Sequence, residues 1–204
     1  MTLICNNSYV KRSVKLINDG RFSSNQSQEG LPGGPGPWGY GFVNMNRRNL
    51  EAQIAGVVCR PLVRHEDPRG WLAEIFRQDE LPVEHHPVMA YISVTQPGRG
   101  RGPHAHRHQT DLFCFPGPGE FRVILWDQRP ESPSFGKRQE FQLGAGTPGI
   151  IIIPPGVVHG YKNIGDGPGW VCNFANRLYG GPGRREPVDE IRFEDDPDTP
   201  FRLE

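Results

Sequence analysis

The chain has 204 residues, which suits one domain, or one domain with an appendage, and excludes two large ones. Lys plus Arg and Asp plus Glu each number 23, so the formal charge is zero and no bulk electrostatic pull toward nucleic acid or anionic lipid operates. Gly (26) and Pro (21) together reach roughly twice their usual share, too much for a helical bundle.

The N-terminal stretch MTLICNNSYVKRSVKL lacks a continuous apolar segment followed by a small-residue cleavage site, so no secretory signal is expected and a cytoplasmic location follows. Residues 1–54 are rich in Ser, Asn, Gln and Gly and contain GLPGGPGPWGYG; they read as an extension, flexible or draped over the domain or a partner subunit. From residue 55 to 196 the texture changes to short apolar runs: VVCRPLV, WLAEIF, VMAYISVT, DLFCF, FRVILWD, EFQL, GIIIIP, VVHGY and WVCNFAN. These are strand lengths, and the breaks between them (EDPRG, QPGRGRG, PGPG, DQRPESPSFG, GDGPG) carry turn residues. Nine such strands predict an all-β jelly-roll barrel or sandwich. The longest apolar run, Gly149 to Ile153, stops at Pro154 and Pro155, far short of a membrane span. Residues 197–204 close an acidic end, EIRFEDDPDTPFRLE, that reads as a solvated tail. Cys5, Cys59, Cys114 and Cys172 are widely spaced, as free and mostly buried thiols would be. Trp71, Phe113, Phe115, Phe121, Trp126 and Trp170 fall on strand-like runs and are expected in the core or in dimer packing.

The chemistry concentrates in GRGRGPHAHRHQTDLFCFPGPG. His104, His106 and His108 alternate, so an extended strand would project all three from one face, with Asp111 close behind. His159 follows a Pro-Pro-Gly turn in IPPGVVHGYKN. Were two antiparallel strands to bring these stretches together, His104, His106, Asp111 and His159 would converge on one divalent ion, with Zn, Fe, Mn, Co and Ni all compatible. The bland alternative is a surface turn whose histidines face solvent. The spacings H-x-H-x4-D (104, 106, 111) and P-x-G-x2-H-x3-N (Pro154, Gly156, His159, Asn163) resemble the two cupin motifs, with Asp111 where Glu is usual. That resemblance implies the same four ligands, with His108 as a substitute or a bystander.

The stretch from Val58 to Asp198 also resembles the dTDP-4-dehydrorhamnose 3,5-epimerases, cupin-fold enzymes. The matching landmarks are D-x-R-G-x-x-x-E (Asp67, Arg69, Gly70, Glu74), R-G-x-H (Arg101, Gly102, His104), D-x-R-x-x-S-P-S-F-G (Asp127 to Gly136) and I-P-x-G-x-x-H-G (Ile153 to Gly160). The resemblance implies proton abstraction next to the C4 ketone of a nucleotide-linked sugar, passage through an enolate, and reprotonation from the opposite face. It places His104 at the base position, Arg69, Glu74 and Arg101 in substrate binding, and the chain in a homodimer. Three positions depart from it. Asp111 stands where the family has a lysine, Cys172 stands at or near the tyrosine acid with Tyr179 close by, and the aspartate that orients the base has no clear counterpart. Loss of the lysine with gain of His106 and Asp111 resembles, instead, the metal-binding cupin domain of capsular polysaccharide enzymes. A metal would then take over the lysine's electrostatic role, and His108 or Tyr161 would move the proton.

Three functions are consistent with these residues. The first is a metal-containing epimerase or isomerase of a nucleotide-linked 4-keto-sugar. The second is a metal-dependent cupin dioxygenase on another small molecule, and the third a non-catalytic carbohydrate-binding cupin.

Overall fold

The computed structural model describes residues 50–204, so most of the expected N-terminal extension lies outside the described residues. Twelve strands follow in chain order: β1 (Val58–Pro61), β2 (His65–Asp67), β3 (Gly70–Leu72), β4 (Met89–Thr95), β5 (Gly100–Ala105), β6 (Asp111–Phe115), β7 (Glu120–Asp127), β8 (Arg138–Gly144), β9 (Gly149–Ile153), β10 (Val157–Asn163), β11 (Gly169–Ala175) and β12 (Ile191–Arg192). Two five-stranded antiparallel sheets, in the orders β1-β9-β6-β11-β4 and β12-β5-β10-β7-β8, pack face to face; β2 and β3 form a separate hairpin. Among the described residues no helix is long and apolar enough to cross a membrane.

Side-chain alternation explains the layering. In the first sheet Phe113, Phe115, Ile151, Ile153 and Val171 point inward, and they meet Phe121, Val123, Leu125, Phe141, Leu143, Val157 and Tyr161 of the second. The opposite face of β6 and β9 (Leu112, Cys114, Ile150, Ile152) is covered by Leu62, Ile75, Phe76 and Leu81. Because β6, β7, β9 and β10 are covered on both faces, they read as continuous apolar runs, not as alternating ones.

Four sequence expectations change here. Leu50 and Ile54, assigned to the extension, are core residues. WLAEIF is a strand only at its start, since β3 ends at Leu72 and the following apolar residues serve as a cover. Trp71 and Trp170 stay half-exposed, whereas Phe113, Phe115, Phe121 and Trp126 are buried. The acidic end is not a free tail. Ile191 and Arg192 pair with β5, and Phe201 packs 5.4 Å from Trp126 and 4.9 Å from Phe193, with Leu203 alongside. Asp195, Asp196 and Asp198 are exposed while the interleaved aromatic residues dock on the second sheet.

The D-x-R-x-x-S-P-S-F-G landmark is a buried turn. Asp127, fully buried, accepts from Arg129 Nε at 2.8 Å, Ser132 Oγ at 2.5 Å and Ser134 Oγ at 2.6 Å. Arg129 and Ser134 in turn hold the backbone of Ala55, fastening the start of the domain to the second sheet. Burial opposes ionisation of Asp127, but these donors outweigh it and hold the carboxyl well below the usual range.

Candidate active site and metal-ligand cluster

Strand pairing assembles the cluster. β10 lies antiparallel to β5 with His159 opposite His104, and a bulge follows, because the next paired residues are Tyr161 and Arg101. Gly102 occupies the bulge at φ +77, where a Cβ would lie 2.7 Å from the His159 carbonyl oxygen and 2.8 Å from His104 Nδ1. Asp111 opens β6 on the facing sheet with its side chain turned inward.

One ligand atom from each of His104, His106, Asp111 and His159 lies within 4.8 Å of every other; His106, Asp111 and His159 are buried, and His104 is partly buried at the cleft. His106 Nε2 is 3.0 Å and His159 Nε2 3.2 Å from the same oxygen, Asp111 Oδ2. The His104 ring centroid lies 4.4 Å from that of His159 and 5.3 Å from that of His106. The far nitrogens have their own partners: His159 Nδ1 donates to the Val157 carbonyl at 3.0 Å, and His106 Nδ1 to the Asp189 carbonyl. With their protons on Nδ1, both neutral imidazoles turn an Nε2 lone pair toward one carboxylate oxygen. That arrangement is repulsive until a cation, proton or metal, joins it. Asp111 Oδ1 is fixed separately by Gln109 Nε2 at 2.8 Å and Asn173 Nδ2 at 2.9 Å.

The electrostatics follow this geometry. Burial disfavours charge throughout, yet His106 and His159 hold Asp111 well below the ordinary carboxylate range, and Asp111 raises His106 against its own burial. His104 has no such partner. Burial, with His159 and His106 nearby, pushes it down to about 2, so it stays neutral.

His104 and His106 of the cluster line an open cleft of about 1020 Å³ whose walls come from both sheets. His104, His106, His108, Arg101, Tyr161 and Tyr179 all reach it. Two placements differ from the sequence expectation. β5 ends at Ala105, so His108 lies in the following turn and does not share the strand face of His104; it is exposed at the cleft and stands apart from the four-residue cluster. Arg69 and Glu74 are outside this chain's cleft: Arg69 sits on the β2–β3 hairpin, 90 % exposed and paired with Asp67 at 2.5 Å, and Glu74 pairs with Arg77 at 3.5 Å. Cys172 turns to the outer face of β11 beside Leu112 and Cys114, away from the cleft, and its inward neighbour is Asn173. Tyr161 is buried within the Phe113, Phe115 and Phe121 cluster, with its hydroxyl 2.7 Å from Ser93 Oγ.

Three residues that sequence reasoning passed over belong to the site. Asp189 accepts backbone N–H bonds from Arg107 (2.9 Å), His108 (2.8 Å) and Gln109 (3.0 Å), and so holds the histidine-rich turn. Asn173 links Asp111 to Tyr91, whose hydroxyl oxygen accepts from Asn173 Nδ2 at 2.8 Å. Only the inward alternation of β4 (Met89, Tyr91, Ser93, Thr95) pointed to Tyr91, and nothing local pointed to Asp189.

A jelly roll with histidines from two adjacent strands and a carboxylate from the facing sheet, gathered at the mouth of the barrel, is a cupin. The dTDP-4-dehydrorhamnose 3,5-epimerase family model matches residues 51–179, so the chain belongs to that family of isomerases. It is 34% identical over 146 residues to the spore coat polysaccharide biosynthesis protein SpsL of Bacillus subtilis, covering 72% of this chain and 93% of that protein. It is 39% identical over 127 residues to the probable low-salt glycan biosynthesis epimerase Agl13 of Haloferax volcanii, covering 62% of this chain and 81% of the relative. Among solved structures, a dTDP sugar isomerase from Desulfovibrio desulfuricans G20 superposes with a TM-score of 0.62 at 27% identity, over 74% of this chain and 92% of that one.

Proposed function

We propose that this enzyme epimerises a nucleotide-linked 4-keto-sugar with the help of one divalent metal ion held by His104, His106, Asp111 and His159. The observation that carries the metal is the pair of Nε2 atoms facing one oxygen, Asp111 Oδ2, at 3.0 and 3.2 Å. Bonds of about 2.0–2.2 Å to a shared ion put neighbouring donors about 3.0–3.5 Å apart, so these spacings suit Zn, Fe, Mn, Co or Ni. The carbonyl partners of both Nδ1 atoms fix the tautomer that ligation needs.

A bound metal would supply Lewis-acid stabilisation of the developing enolate charge, the task a lysine performs where the resemblance puts one at position 111. Arg101, its guanidinium donating to the Val94 carbonyl at 3.2 Å, reaches the cleft as a cation for a sugar-linked phosphate. His108 is exposed at the cleft and could exchange a proton with the sugar, whereas the Tyr161 hydroxyl is held by Ser93 at 2.7 Å. The identity of the relatives supports a substrate used in building surface polysaccharide or glycan. Three free thiols, Cys59, Cys114 and Cys172, suit a reducing, cytoplasmic setting. The exposed row Ile92, Val94 and Trp170 on the outer face of β4 and β11 supports a homodimer, which light scattering of the purified protein would test.

One observation favours a second reading. Among the described residues His104 has no hydrogen-bond partner, and it faces the cleft as a neutral imidazole, which suits a base acting without a metal. Metal content by inductively coupled plasma mass spectrometry separates the two. One stoichiometric metal, lost in His106→Ala and in His159→Ala, supports the ligand role. Absence of metal after growth and purification with each candidate ion supports His104 as base. In either case solvent deuterium should enter a dTDP-4-keto-6-deoxysugar during turnover, and no incorporation across a panel of such sugars would reject the epimerase assignment.

A further inference from the structure

We propose that Tyr91 is the proton donor that completes epimerisation, delivering its phenolic proton to the sugar from the wall facing the histidines. The inference rests on the epimerase reading but not on the metal. Inversion at a carbon next to a ketone needs two proton-transfer groups on opposite sides of the sugar ring, because a single group returns the proton to the face it came from. In this cleft the sides are different sheets. His104 and His159 come from β5 and β10 of the second sheet, while Tyr91 comes from β4, the edge strand of the first.

The hydrogen bonding around Tyr91 has the polarity of a donor site. Its phenolic oxygen accepts from Asn173 Nδ2 at 2.8 Å, and so its own O–H remains available to the cleft. After the proton leaves, the same amide N–H stabilises the phenolate. Asn173 is itself anchored, with its second N–H 2.9 Å from Asp111 Oδ1, so the amide cannot turn over without losing that bond. Strand register supplies the alignment: Phe113, Asn173 and Tyr91 lie directly opposite one another across β6, β11 and β4. Although 47 % of Tyr91 is exposed, desolvation of the phenol pushes its pKa up to about 12, keeping the proton in place until an enolate arrives.

The other tyrosines fit less well. Tyr161 rises from β10, in the same sheet as His104 and His159, and its hydroxyl is already bonded to Ser93. Tyr179 lies beyond the end of β11, 54 % exposed. In the proposed step the enolate C=C electron pair forms the new C–H bond with the Tyr91 proton. The carbonyl C=O is restored, and the Tyr91 phenolate takes a proton from water. No oxidant or reductant is required.

The test is Tyr91→Phe, which keeps the ring and removes the hydroxyl, assayed on dTDP-4-keto-6-deoxyglucose in D2O. The expected result is a 10²–10⁴-fold fall in the rate of epimerised product. Two readouts should stay at the wild-type level: dTDP binding, and deuterium wash-in to recovered, unepimerised substrate, which reports the first proton abstraction alone. A merely structural role for Tyr91 would lower wash-in and epimerisation together, and that result overturns the proposal. So does a variant that epimerises within about threefold of wild type. A wild-type enzyme that neither exchanges nor epimerises this sugar rejects the epimerase reading on that substrate, and the assignment of Tyr91 with it.

Discussion

Asp111→Asn isolates the charge at the centre of the cluster with almost no change in shape. In the native site Oδ1 accepts from Gln109 and Asn173, while Oδ2 faces two imidazole nitrogens whose protons are on the far side of their rings. Asparagine suits the metal-free arrangement better than aspartate does. Its oxygen would replace Oδ1, and its two amide hydrogens would point to the lone pairs of His106 and His159. Leaving a buried polar group opposed costs about 1–3 kcal/mol, so the variant should gain about 2 kcal/mol once His106 is neutral. For a chain of this length that is a rise of about 4–8 °C in Tm. The pH dependence carries a definite sign. The pKa of His106 is raised in the folded state, so its contribution to stability is complete below the unfolded value of about 6.5 and is lost as pH climbs through the folded value. The gain from Asp111→Asn should therefore emerge above neutral pH and be largest near pH 9. Metal binding should move the other way: loss of a charged ligand worth about 4 kcal/mol weakens affinity about 10³-fold. Scanning calorimetry at pH 6 and pH 9, in chelator and with added Zn²⁺, Mn²⁺ or Co²⁺, reads both effects. If chelated Asp111→Asn melts as far below wild type at pH 9 as Asp111→Ala does, the lone pairs do not collide, and the protons of His106 and His159 are not both on Nδ1.

Asp189→Ala removes the acceptor of three backbone N–H groups and should loosen the 106–109 turn; faster amide exchange at Arg107, His108 and Gln109, with a 10–100-fold loss of metal affinity, is the expected result. Gly102→Ala places a methyl against His159 O and His104 Nδ1 at positive φ and should cost about 2 kcal/mol or more by urea unfolding, together with activity. Asp127→Asn breaks a buried turn and should cost about 3 kcal/mol at pH 7. Because the folded pKa of Asp127 is depressed, its contribution is present above about pH 4 and fades as pH falls, so wild type and Asp127→Asn should converge in urea midpoint toward pH 2.

The barrel and the cluster were legible for different reasons. Strands buried on both faces, such as β6, β7, β9 and β10, leave apolar runs that end at Gly, Pro or Asp, and those runs are visible in one dimension. The histidines were legible because His104 and His106 are two residues apart and His159 follows a turn motif; strand pairing then needed only to bring two short segments together. What sequence could not show is whatever depends on a third segment. Asp189 is 82 residues from Arg107, in a stretch with no regular strand, and it acts through backbone amides that carry no side-chain signature. Phe201 and Leu203 were hidden by the aspartates around them, although an aromatic residue every eight positions in an acidic run is enough to dock it.

The departures from the family pattern make sense once the sheet faces are known. Cys172 looked like a lost catalytic tyrosine, but its side chain belongs to the outer face of β11, where a small apolar group packs on Cys114 and Leu112. The inward neighbour, Asn173, couples the carboxylate at 111 to a tyrosine on the next strand, so a hydroxyl and a charge centre are connected in a single row across β6, β11 and β4. Asp111 stands where the resemblance puts a lysine, and His106 and His159 set two nitrogens on its one oxygen. On the proposed mechanism the electrostatic demand of an enolate would be the same in both designs. A cation carried by the chain in one would be replaced here by a cation that the chain holds, with the phenol proton on the opposite wall.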